Sequence, residues 1–210
     1  FELAAEHVEP GASLSVELRD PKGADKTTAR FPLADDGPLS LHVETFAPTL
    51  KVKFAPVIYG ADGSDRVPPL DEAVLEAHRK ALYKMYPVTK VELSVREAFA
   101  WPLQVQPNGD GWNALLAAVM KTRKDDKAPD DVYYVGVFNP APSEREYCKA
   151  GCVLGVAPTT FLNMSGSGSA VSLRAAMIVG YVSERSHGTL AQELAHAMER
   201  LHAPCGNPAA

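Results

Sequence analysis

Near the end of the chain, Gln192, Glu193, His196, Glu199 and His202 fall within one stretch, QELAHAMERLH. Glu193 and His196 are close enough in sequence to share a helix, and His202 is within reach of the turn that would come after it. Imidazole nitrogens are good donors to Zn²⁺, and a carboxylate can carry a proton to and from a reacting group, so these residue types suit hydrolytic metal chemistry. ExxH alone also satisfies a plainer account, a solvated Glu with a His packed at the rim of an amphipathic helix. The run directly after His202, Ala203-Pro204-Cys205-Gly206, weighs against that account.

The stretch resembles the zinc-binding helix of the metzincin metallopeptidases, HExxHxxGxxH. In that pattern two His one turn apart and a third beyond a helix-breaking Gly hold one metal, and the Glu serves as base. The tail HAPCG is similar to the segment at and after the third His in a group of secreted bacterial members. The likeness extends upstream through Ala61-Asp62-Gly63-Ser64, Tyr86-Pro87-Val88, Asp130-Asp131-Val132-Tyr133-Tyr134 and Tyr147-Cys148-Lys149-Ala150-Gly151-Cys152, so it covers about residues 50 to 206. By this resemblance Glu193 is the catalytic base and His196 and His202 are the second and third metal ligands. Gln192 stands at the first-ligand position and Glu199 at the Gly position. The resemblance implies a secreted zinc metallopeptidase that hydrolyses bonds of a peptide or protein substrate by metal-activated water. It also implies an edge strand within residues 151–160 that pairs with extended substrate.

The two departures bear on different links. Gln192 offers a neutral amide oxygen, a weaker donor to zinc than imidazole, so zinc binding is expected to be weak or absent and activity impaired. Glu199 replaces a residue that normally turns the chain in a left-handed conformation, at a cost of about 1 kcal/mol for a non-Gly side chain. The expectation is therefore that the helix continues or its turn shifts, and that His202 points away from His196. Two substitute ligands are conceivable: Glu199, if it stays on one helical face with His196, and His187, otherwise an exposed loop residue. The alternative function is a catalytically silent relative that keeps the cleft as a peptide-binding or interaction module. A third is a structural module of a larger surface protein.

The composition allows all three. The chain has 210 residues, is 46% hydrophobic and carries a formal charge of -5 with a pI near 5.7. Dispersed basic residues in an acidic chain argue against nucleic acid as a partner, and no apolar run is long enough to span a membrane. The expectation is of a mature fragment beginning at Phe1 and truncated before the Met-containing turn that metzincins carry. Cys148 and Cys152 form a C-x3-C pair, which can bind metal or close a small disulfide loop. No His flanks them to complete a zinc knuckle, so a disulfide is favoured, with Cys205 free or paired downstream and the protein secreted or extracytoplasmic.

The elements that must position these residues read as α/β (α+β). Residues 1–48 hold short alternating runs, Ser13 to Leu18, Thr28 to Leu33 and Leu39 to Glu44, separated by Gly-containing turns: a small antiparallel β unit. Residues 49–210 read as the metallopeptidase-like domain, a twisted sheet with flanking helices. Strands are expected at Leu50 to Tyr59, Val91 to Arg96, Val132 to Phe138 and Ala175 to Val182. Helices are expected at Leu70 to Met85, Trp112 to Thr122 and Thr189 to Arg200, the last being the active-site helix. The Ser165 to Ser169 run, SGSGS, lacks the context of a phosphate cradle or a nucleophile elbow.

Overall fold

The computed structural model describes residues 9–19, 21, 27–41, 43, 48–158 and 173–200. It divides into two compact units, residues 1–47 and 48–210. In the first, β1 (Ser13–Leu14) pairs antiparallel with β4 (Leu39–Ser40), and β2 (Val16–Arg19) pairs antiparallel with β3 (Thr27–Phe31). The strand in the expected third run ends early at Ser40, and two of the run's four remaining residues, His42 and Glu44, lie outside the described residues.

The second unit is built on a mainly parallel sheet, ordered β6-β5-β8-β10-β9, and is of the α/β class. Its strands are β5 (Thr49–Tyr59), β6 (Lys90–Val95), β7 (Phe99–Trp101), β8 (Val132–Phe138), β9 (Gly155–Val156) and β10 (Ala175–Val179). β7 continues alongside the second half of β5, and β9 is antiparallel to β10 at the sheet edge. Parallel strands need covered faces, and the alternation along β8 and β10 supplies two of them. Val135, Val137, Ala176 and Ile178 pack with Leu75 and Leu82 of α1 (Glu72–Met85) and Leu190 and Leu194 of α4 (Glu184–Ala197). Tyr134, Phe138, Ala175, Met177 and Val179 pack with Trp112, Leu115 and Val119 of α2 (Trp112–Asp125) on the other side.

Local signals explain the helix starts. The Asp71 carboxylate accepts from the Val74 N–H and caps α1, while a single turn, α3 (Glu144–Tyr147), is capped by Ser143. Cys148, directly after α3, is disulfide-bonded to Cys152, with Cα atoms 4.8 Å apart. Among the described residues no helix is long and apolar enough to cross a membrane.

Candidate functional site

The helix that carries the motif begins earlier than its apolar periodicity indicates, at Glu184 rather than Thr189. Ser183 is its N-cap. The Ser183 hydroxyl accepts from the Ser186 N–H at 3.3 Å, and the Ser186 hydroxyl accepts from the Ser183 N–H at 3.4 Å. This is a capping box with Ser in the position usually held by Glu or Gln, which is why the residue types did not advertise it. Gly188 is accommodated inside the helix, so His187 is helical rather than a loop residue.

Along α4 the side chains divide by face. Leu190, Ala191, Leu194 and Ala197 enter the core, whereas Gln192 is exposed and lines a recess with Met85, Tyr86, Gly188, Ala191 and Ala195. The Tyr86 hydroxyl, just past α1, donates to the Ala191 carbonyl at 2.6 Å and pins the middle of α4 to the end of α1.

Glu193 is only 6% exposed, on the flank turned toward β9. A Cβ added to Gly155 would lie 2.5 Å from Glu193 Cγ and 2.7 Å from Thr189 Cγ2, so the absent side chain is what lets the edge strand close onto the helix. Withdrawal from water raises the Glu193 carboxyl to a pKa of about 7. A carboxyl poised near neutrality can both take and return a proton there.

The end of α4 departs from expectation. The helix stops at Ala197 with Met198 as C-cap, and Glu199 takes φ 63°, in the left-handed region. The Glu199 N–H donates to the His196 carbonyl at 2.8 Å and the Arg200 N–H to the Ala195 carbonyl at 2.9 Å, the paired bonds of a Schellman motif. The chain therefore turns at Glu199 as a Gly would make it turn, instead of continuing the helix. Two closing hydrogen bonds outweigh a conformational cost of about 1 kcal/mol. Glu199 is exposed and beyond the helix, so it does not share a helical face with His196 as the substitute-ligand idea required.

This turn also orients the imidazole of His196. Its Nδ1 lies 2.7 Å from the Arg200 carbonyl oxygen. A carbonyl only accepts, so Nδ1 carries the proton, and the lone pair of the neutral ring is on Nε2. That arrangement, with Nδ1–H held by a backbone carbonyl, is the usual support behind a metal-ligating His.

His187 goes elsewhere. Its Nδ1 is 3.0 Å from Nδ1 of His78 on α1, with the rings edge to face at 4.7 Å. It faces α1 rather than Gln192 and His196, and so leaves the ligand set. His202 and Cys205, and the Ser165 to Ser169 run, lie outside the described residues. Among the described residues no group of three His, Cys, Asp or Glu side chains could hold a metal ion.

Sequence reasoning missed Gly155, Ser183, Ser186 and His78, and gave Tyr86 no role beyond its place in the family likeness. Of these, only Gly155 left a usable signal, an isolated Gly between Leu154 and Val156 where another group must approach the backbone. No protein-family model matches the chain, and no curated protein matches it either.

Proposed function

We propose that residues 48–210 are a metzincin-like zinc metallopeptidase domain whose site lies on α4 and the turn after it, with activity impaired by Gln192. The observation that carries this reading is the turn at Glu199. A non-Gly residue adopts the left-handed conformation at the position where the motif places Gly, and the same turn holds His196 Nδ1. The His196 tautomer suits a zinc ligand. Gln192 suits it poorly, since only an amide oxygen stands where an imidazole belongs.

In this reading His196 and His202 would hold zinc, with at most weak help from Gln192. Zinc, when bound, supplies Lewis acidity that brings the pKa of water down to about 7. The Glu193 carboxylate would take the proton of the attacking water and return it to the leaving amine. The edge strand β9 offers backbone groups to an extended peptide, which is recognition that tolerates many side chains. A disulfide between Cys148 and Cys152 is compatible with a secreted protein in an oxidising compartment.

The test is zinc content of protein purified without chelator. The native chain is expected to hold far less than one zinc per molecule and Gln192→His to approach one. Glu193→Gln added to Gln192→His should keep the metal and abolish peptide hydrolysis. If Gln192→His binds no more zinc than the native chain, the ligand assignment is wrong. Gln192 in place of an imidazole at the first-ligand position favours a second reading, a silent relative that binds extended peptide along β9 without cleaving it. Peptide binding by the Gln192→His protein in the absence of hydrolysis would select that reading.

A further inference from the structure

We propose that His78 and His187 form an acid-released clamp between α1 and α4, the helix that carries Glu193 and His196. The inference holds whether or not that helix belongs to a peptidase, because it concerns the opposite face of α4.

The geometry is specific. His78 projects from α1 and is 4% exposed, and its ring lies 5.4 Å from the Phe54 ring of β5. His187 comes from the second turn of α4 and meets it nitrogen to nitrogen at 3.0 Å. A contact of that length between two imidazole nitrogens is a hydrogen bond only if one ring donates N–H and the other offers its lone pair. The clamp therefore exists only while the accepting nitrogen has no proton of its own. Protonating the acceptor removes the lone pair and sets two N–H groups against each other in a place largely closed to water.

The surroundings do nothing to rescue the charged form of His78. From β5 the pair meets the apolar Phe54 ring. On α1, Arg79 is engaged with Glu72 and Glu76, and Lys80 with Glu76. On α4, Arg185 is paired with Glu144, and the Glu184 carboxylate favours charge on His187. Burial and then the facing His187 depress His78 to a pKa of about 4, and burial lowers His187 as well. The rings offer two donors, and among the described residues no third ligand joins them.

A folded-state pKa below the unfolded value means the unfolded chain binds more protons. The stabilisation is complete above pH 6.5 and is lost as pH falls toward about 4. In the folded protein the contact itself persists until pH approaches about 4, while its contribution to stability declines from pH 6.5 downward.

Thermal unfolding of the full chain at pH 7.5 and pH 5.0, native against His78→Gln, tests this. Gln keeps a neutral hydrogen-bonding group but cannot titrate. The native melting temperature should fall on acidification by about 4 °C more than that of the variant. An equal fall in both would overturn the clamp. If His78→Gln does not fold, imidazole NMR of the native protein decides. His78 staying neutral to below pH 5.5 supports the proposal, and titration at or above 6.5 refutes it. Neither readout involves zinc or hydrolysis, so failure here is distinct from failure of the peptidase reading.

Discussion

At Glu199 a residue type argued one way and the chain went the other. The left-handed conformation costs an L residue about 1 kcal/mol, yet the helix end is closed by two hydrogen bonds that need that conformation. Glu199→Gly is therefore expected to stabilise the protein by about 0.5 kcal/mol, the relief of strain being partly offset by the greater freedom of Gly in the unfolded chain. Denaturant unfolding should show a higher midpoint with an unchanged slope. Glu193 gives a second residue-level expectation. Its folded pKa of about 7 lies above the ordinary value of 4.5, so the native state favours the neutral acid. The stability this provides is present below pH 4.5 and lost as pH rises through 7. Glu193→Gln removes the titration. The variant should match the native protein near pH 4.5 and exceed it by about 2 kcal/mol at pH 8.5. Equal stability at both pH values would mean that the carboxyl is better solvated than its surroundings indicate. The types and spacing of Glu193 and His196 were legible in the sequence. Their states were not, because burial beneath β9 and a turn four residues on determine which proton sits where.

Among the elements, long runs with a clean period were readable. Val132 to Phe138 is a strand with the bounds its run of apolar and aromatic residues indicates, and Asp71 before an apolar helix pattern marks the start of α1. The start of α4 was not readable, since Ser186 in place of Glu in the capping box and Gly188 in the second turn both look like loop. Nor were β7 and α3, which are too short to establish a period. The edge strand β9 lies within the expected 151–160 segment, but its meeting with α4 depends on the bare Cα of Gly155. Gly155→Ala is expected to cost about 1–3 kcal/mol by overpacking against Glu193 and Thr189. The same change made in a Glu193→Ala background should cost less, because the Glu193 atoms it would strike are gone and only the clash with Thr189 remains. A double-mutant cycle on melting temperature measures the difference.

For the molecule as a whole, the two pH dependences oppose each other. Acid loosens the His78–His187 contact on one side of α4, and base charges the Glu193 carboxyl on another. The helix between them is best held in the range where both groups are neutral. The cysteines supply a count that spans the chain. With Cys148 joined to Cys152, thiol titration of oxidatively expressed, denatured protein should find about one thiol per chain, that of Cys205. Three thiols would contradict the pairing. The α/β class of residues 48–210 was legible because strand and helix patterns alternate there. The small antiparallel unit before it was legible from its turns.

The place of β9 in the sheet has a kinetic consequence. It precedes β10 in the chain yet lies outside it at the sheet edge, and among the described strands it is bonded to β10 alone. β10 in turn must find a strand laid down well before it, a non-local pairing of the kind that slows folding. β9 is two residues long and held by a single strand, so the cover over the Glu193 carboxyl is expected to be among the first parts of the structure to open when the native state fluctuates.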